Sequence, residues 1–236
     1  MQPPQQYQAR LEERIEHNPK YLELHFELAA PHQIQFEAGQ YVSIKCSEQG
    51  HRRSYSICNR PDITHGFELL VDVTPQGVGT KYLSELQPGQ EVHILGPLGQ
   101  FTIANNPQEQ QLVFIATGSG ITPFKSMILD LLQVKQDKRP MTLYWGMRHA
   151  EQLFWMDEWL EIQQSFPNFK LHPVISRPMP EWTLCRGHVT DCLNVHQFHE
   201  NAGFYLCGNQ AMIEETTTFL QDKHVPPDRI HFEKFF

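Results

Sequence analysis

The chain has no stretch approaching the roughly 18–20 uncharged apolar residues that a membrane-spanning helix needs. Its first residues, MQPPQQYQARLEERIEH, offer neither a basic start nor an apolar run, so no secretory signal is expected and the cytoplasm is the expected compartment. Basic residues are in the minority, 19 against 27 acidic ones, for a net charge of -8. A general nucleic-acid binder needs a surplus of Lys and Arg to neutralise phosphates and is excluded. Cysteine is sparse: positions 46, 58, 185, 192 and 207 form no C-x-x-C and no iron–sulfur spacing. The odd count, without a signal peptide, reads as reduced thiols. Histidine is plentiful at 13, yet there is no H-E-x-x-H, and His196 with His199 stands without an obvious third ligand, so no metal site is expected. Repeats and low-complexity tracts are absent as well.

What is present divides in two. A length of 236 residues suits two domains better than one core. YLELHFEL (21–28), GQYVSIKC (39–46), RRSYSIC (52–58), GFELLVDV (66–73) and EVHILGP (91–97) are short strands separated by Gly and Pro, with one helical interruption at TKYLSEL (80–86). They predict an N-terminal antiparallel β-barrel over 1–104. After the polar ANNPQEQQ (104–111) the texture changes. Apolar strands LVFIAT (112–117), MTLYWGM (141–147), KLHPVIS (170–176) and GFYLCG (203–208) alternate with helical patterns at 123–135, 150–165 and 209–223. That alternation predicts a doubly wound parallel α/β domain over 112–236, with its site at the carboxyl ends of the strands.

Three stretches carry chemistry. In HRRSYSICNRP (51–61) an extended backbone would put Arg53 and Tyr55 on one face, with Ser56 close by. Taken alone it also fits a solvated strand with an exposed Arg. ATGSGITPF (116–124) is a strand end, a glycine turn and a helix start. There Thr122 can cap, Pro123 suits the first turn, and free N–H groups face an anion. An ordinary strand-to-helix turn has the same look, and the full G-x-G-x-x-G is missing. QGVGTKYLSEL (76–86) repeats the device with Gly77, Gly79 and Thr80, or is a glycine-rich loop with a helix cap.

Together these segments resemble the ferredoxin–NADP⁺ reductase family. RSYS (53–56) matches its R-x-Y-S flavin motif, and GVGT (77–80) is similar to its second flavin motif. GPLGQF (96–101), ATGSGITPF, YWGMR (144–148), VISR (174–177) and YLCGNQAMI (205–213) follow in the family's order, and FEKFF (232–236) is similar to its Glu-x-aromatic-aromatic ending. The resemblance implies FAD on the first domain. Arg53 would meet its phosphate, Tyr55 its isoalloxazine, Ser56 its N5 region, and Gly77, Gly79 and Thr80 its pyrophosphate, with Val71 and Val73 among the flavin contacts. It implies a nicotinamide nucleotide on the second domain, lined by Thr117, Gly118, Ser119, Gly120 and Thr122. Arg148 would reach its phosphates, and Cys207 and Gly208 would lie near the nicotinamide. Ser56, Cys207 and Phe235 form the implied catalytic set. Ser176 and Arg177 slightly favour NADP(H) over NAD(H), because arginine suits a 2′-phosphate, while SRPMPEW…RGHV (176–189) also resembles the segment of NADH-dependent electron-transfer subunits of the same superfamily. Phe235 and Phe236 fit either a buried terminal strand or, on the resemblance, a lid with Phe235 beside the isoalloxazine and Phe236 near the adenine side.

The implied function is hydride transfer between NAD(P)H and flavin N5, with electrons passed singly to a small carrier such as ferredoxin or flavodoxin. Alternatives are an NAD(P)H:free-flavin reductase and an electron-entry subunit of a multicomponent oxygenase or similar complex. Arg52, Arg60 and Lys81 flank the expected flavin strand and loop and could dock an acidic carrier. With no iron–sulfur spacing in this sequence, such a carrier is expected to be a separate protein. The chain itself is expected to be a monomer.

Overall fold

Tyr7, Ala9 and Leu11 are buried while Gln6, Arg10 and Glu12 between and beside them face water. This period of two makes Gln5–Asn18 a strand, β1, despite its many charges. The computed structural model describes residues 3–104 and 106–234. After β1 come β2 (Tyr21–Ala30), β3 (Tyr41–Lys45), β4 (Arg52–Ser56), β5 (Gly66–Asp72), helix α1 (Val78–Glu85) and β6 (Glu91–Leu98). These six strands form one antiparallel sheet in the order β4-β3-β6-β1-β2-β5. An Ile57–Leu69 bridge and a Cys58 N–H bond to the Glu68 carbonyl at 2.9 Å join the two edge strands and close the barrel. Inside lie Leu11, Leu24, Val42, Ile44, Ile57 and Leu69, all at 0 % exposure. Each such side chain contributes about 1.5–3 kcal/mol by leaving water.

The second sheet is parallel throughout, in the order β10-β9-β8-β7-β11-β12. Its strands are β7 (Gln111–Thr117), β8 (Met141–Met147), β9 (Phe169–Ile175), β10 (Cys185–Arg186), β11 (Ala202–Gly208) and β12 (Ile230–Lys234). β11 is buried along its whole length, as strands beneath helices must be. The helices are α2 (Thr122–Leu129), α3 (Met156–Ser165), α4 (Val189–Asn194) and α5 (Gln210–Asp222). The barrel followed by a parallel α/β sheet is the architecture the strand patterns predict.

By its contacts the chain forms two units: residues up to Ile103 with Thr122–Lys135, and Ala104–Ile121 with Gln136 onward. α2 thus packs with the barrel. Ser126 Oγ donates to the Asn59 carbonyl (2.7 Å), Lys125 Nζ lies 3.9 Å from buried Glu23 Oε1, and the Phe124 ring sits 5.9 Å from that of Phe101. The expected continuous helix 123–135 becomes a wider π turn over Asp130–Val134, where Lys135 N–H reaches back to the Asp130 carbonyl at 2.9 Å. Thr122 lies within helical structure and not at its cap, because Gly118–Ile121 already form a 3-10 turn. The thiols also depart from expectation: Cys185 and Cys192 are joined as a disulfide, while Cys46, Cys58 and Cys207 are buried outside it. Turn and helix geometry bring that pair together, and their spacing in sequence hides it.

Among the described residues no helix is long and apolar enough to cross a membrane.

Candidate functional site

In the first unit the site grows from β4 and the start of α1. Gly77 precedes α1 with extended backbone, and its carbonyl accepts the first helical bond from Lys81 N–H at 3.0 Å. The N–H groups of Val78, Gly79 and Thr80 therefore have no partner within the helix and carry its positive end. β4 brings two side chains to the same place. A Cβ on Gly79 would lie 2.6 Å from Arg53 Cγ and 2.7 Å from Tyr55 Oη, so glycine is what allows strand and turn to close together. Burial pushes the Tyr55 phenol up to about 12, and its hydroxyl bonds to the Thr80 side chain. The ring is neutral at physiological pH. Arg53 is exposed, with Nη1 donating to the Arg52 carbonyl at 2.8 Å. A cation, a neutral ring and a row of N–H groups within one patch suit a phosphate attached to an aromatic system.

The other expected residues of this unit are placed differently. Ser56 is 5 % exposed and follows Tyr55 on the opposite side of the strand. Val71 is a core side chain at 1 % exposure, and Val73 packs against that core. Of the three cations expected to dock a carrier, Arg52 bonds through Nε to Ser43 Oγ (3.2 Å) and through Nη2 to the Ser43 carbonyl. Arg60 holds Asp62 at 3.0 and 3.1 Å and also donates to Gln133. Lys81 is exposed.

In the second unit the carboxyl ends of β7 and β11 meet. Gly118 has φ 56° and Gly208 φ 153°. A Cβ on Gly120 would come within 2.2 Å of the Cys207 carbonyl oxygen, and one on Gly208 within 2.2 Å of Thr117 Oγ1. Thr117 Oγ1 also accepts from Asn209 Nδ2 at 3.1 Å, and Trp145 Nε1 donates to the Gly118 carbonyl at 3.1 Å. Thr117, Gly118, Ser119, Gly120, Cys207 and Gly208 are thus drawn to one edge of the sheet. Arg148, Ser176 and Arg177 follow the adjacent ends of β8 and β9 and are exposed, with Arg177 N–H on the Arg148 carbonyl at 2.9 Å. Two guanidinium groups therefore stand on neighbouring segments.

One residue here escaped the motif reading. Glu233 on β12 pairs in register with Cys207 on β11. Burial raises its carboxyl to about 7, and Oε2 is a buried oxygen without a hydrogen-bond partner. The Cys207 thiol is held well above its ordinary value by burial and then by the Glu233 charge, so it is protonated at neutral pH. A buried carboxyl with raised proton affinity and an unpartnered oxygen is a candidate functional group. The FEKFF match contained the residue, but only its burial beside Cys207 shows its character. Phe235 and Phe236 lie outside the described residues.

Comparison with known proteins agrees with both halves. Residues 8–103 match the oxidoreductase FAD-binding domain and residues 114–218 the oxidoreductase NAD-binding domain. The chain is 32% identical over 239 residues to the phenol 2-monooxygenase reductase component DmpP of Pseudomonas sp. (strain CF600), covering 99% of this chain and 67% of that one. It is 32% identical over 237 residues to the phenol hydroxylase P5 protein of Acinetobacter pittii (strain PHEA-2), covering 98% and 66%. The crystal structure of Amycolatopsis cytochrome P450 reductase GcoB superposes with a TM-score of 0.90 at 30% identity, over 100% of this chain and 71% of that one. The protein is therefore a flavoprotein oxidoreductase by class. It belongs to the ferredoxin–NADP⁺ reductase-like family, with an FAD-binding domain ahead of an NAD-binding domain. The chain spans about two thirds of the length of these two curated relatives.

Proposed function

We propose that this protein oxidises NAD(P)H through bound FAD and delivers the electrons to a separate protein, as the reductase component of a larger system. The observation that carries this reading is the tight packing of Gly79 against Arg53 and Tyr55, which sets a cation and an aromatic ring beside the N–H groups left unpaired at the start of α1. When bound, the two cofactors supply hydride exchange between their rings and release of electrons one at a time.

The chain's own residues hold and orient. Arg53 neutralises the FAD phosphate, the N–H groups of Val78–Thr80 with Gly77 receive the pyrophosphate, and Tyr55 packs on the ring system. Ser56 would hydrogen-bond near flavin N5, and half-buried Val73 would border the cofactor with Val71 behind it in the core. Thr117, Gly118, Ser119 and Gly120, with Thr122 behind them, line the pyridine nucleotide, and Arg148 takes its phosphates. Cys207 and Gly208 border the nicotinamide as small, uncharged neighbours. Glu233, poised near neutral pH, can hold or release a proton at Oε2. Residues 1–104 and 112–236 are the two cofactor domains.

For the nucleotide, the Ser176–Arg177 pair supports NADPH. For the acceptor, relatives named as reductase components support a redox partner protein, of which a ferredoxin or flavodoxin type is the simplest. One experiment tests the whole reading. The purified chain should be yellow, stay yellow through gel filtration, and bleach in a stopped-flow mixer with NADPH, more slowly with NADH. A colourless chain that takes up no FAD would end the proposal. Flavin lost on the column but turned over when free would favour a free-flavin reductase.

A further inference from the structure

The second unit contains a Cys/His cluster that the nucleotide reading leaves unused. Cys185 opens β10, a turn follows at Gly187 (φ 92°), and α4 then carries Cys192. A Cβ on Gly187 would lie 2.3 Å from Asp191 Oδ2, the atom that accepts His188 N–H at 2.7 Å. Turn and helix start are thereby fixed, with the Cα atoms of the two cysteines 5.8 Å apart. β9, the neighbour of β10, contributes His172: one of its ring nitrogens and both Sγ atoms all lie within 4.8 Å of one another. His196 packs next to His172, ring centroids 4.5 Å apart, but its nitrogens lie outside that set of three. His196 Nδ1 meets the Cys192 carbonyl oxygen at 2.8 Å. The tautomer that donates there leaves Nε2 with its lone pair, the second-shell arrangement usual for metal-binding histidines.

We propose that the reduced Cys185–Cys192 pair, with His172 as third ligand and neighbouring His196 moving in as the fourth, binds zinc or a similar thiophilic divalent cation. Two thiolates and two imidazoles form a donor set of structural zinc. The cysteines stand seven positions apart, wider than in most zinc fingers, and a turn plus helix brings them together in place of a short loop. Disulfide and metal are alternative states, because a disulfide sulfur has no thiolate to give. The barrel's own His/carboxylate cluster, Glu23, His25 and Glu68, makes a poorer site, because Lys125 Nζ is already 3.9 Å from Glu23 Oε1.

The test uses the whole protein treated with a phosphine. The phosphine's electron pair breaks the sulfur–sulfur bond, the phosphine leaves as its oxide with the oxygen of water, and two thiols remain. Each thiol gives its proton to the buffer as metal binds. After removal of excess reagent, Zn²⁺ is titrated against a chromophoric chelator and Co²⁺ is added in parallel. Expected are one equivalent of Zn²⁺ per chain and, with Co²⁺, thiolate charge-transfer and tetrahedral ligand-field bands. Cys185→Ser, at a half-exposed position, and His172→Ala should each weaken Zn²⁺ about a hundredfold or more, and His196→Gln about ten- to hundredfold. Unchanged far-UV dichroism in Cys185→Ser shows that the fold survives. Overturning results are a reduced chain that binds no more metal than Cys185→Ser, or Co²⁺ spectra identical in wild type and His172→Ala.

Discussion

Two glycine turns, one in each unit, look alike in sequence and differ in what surrounds them. Gly79 is hemmed in by side chains, Arg53 and Tyr55, whereas Gly120 is hemmed in by backbone, the Cys207 carbonyl at 2.2 Å. Side chains can move aside, but a carbonyl in a parallel ladder cannot move without parting the strands. The first glycine therefore lets two candidate ligand-binding side chains close on the helix start, and the second serves the fold itself. Identical-looking motifs can thus carry different burdens, and only the neighbours distinguish them.

The comparison can be broken most sharply at Gly120. Gly120→Ala should destabilise the protein by about 3 kcal/mol or more, the upper range for overpacking, read as a lowered melting temperature or loss of soluble protein. Gly79→Ala should lower melting of the flavin-free protein by less than Gly120→Ala, because side chains and not a ladder carbonyl must yield, and release FAD more readily; equal losses of stability in both variants would erase the distinction. Arg53→Ala sharpens it further. Losing a charge-assisted phosphate contact, about 1.5–3 kcal/mol, should weaken FAD about tenfold to a hundredfold by fluorescence titration with no change at the nucleotide.

A smaller effect concerns Glu233. The unfolded chain gives up this proton near the ordinary 4.5 and the folded chain near about 7. Between those values the folded state holds more protons, so stability falls as pH rises through the window. Glu233→Gln should flatten that part of the melting-temperature profile and stabilise the protein at pH above about 7 relative to wild type. Profiles of equal slope would remove the buried carboxyl from the argument. The smallest change is expected from Arg177→Ala: KM for NADPH should rise several-fold more than KM for NADH. Equal rises would leave Arg177 without a part in nucleotide choice.

Much of this molecule was readable before its structure. Strand texture separated a barrel from a parallel sheet, because Gly and Pro punctuate the first and long apolar runs fill the second. R-x-Y-S and the glycine turns pointed to the patches where Arg53, Tyr55 and Gly79, and Thr117, Gly120 and Cys207, come together. What stayed hidden depends on distant partners. β1 reads as a charged terminal segment, since only three of its side chains enter the core as an unbroken alternation, Tyr7, Ala9 and Leu11. The attachment of α2 to the barrel rests on Ser126 and Asn59, 67 residues apart. Glu233 acquires its raised proton affinity from burial on a neighbouring strand, and the Cys185–Cys192 pairing from a turn. None of these leaves a local signature.

The position of β1 bears on how the chain is made. It lies in the interior of the first sheet, yet its partner β6 is among the last barrel strands to emerge, with Gln5 opposite Gly96. On the ribosome, this strand must wait for about ninety further residues before that side of its backbone is satisfied. Until then a nascent chain exposes an unpaired edge, the kind of surface on which aggregation and chaperone capture begin. Translation pauses that hold residues 91–98 inside the exit tunnel should accordingly lower the yield of folded protein more than pauses made after those residues have emerged.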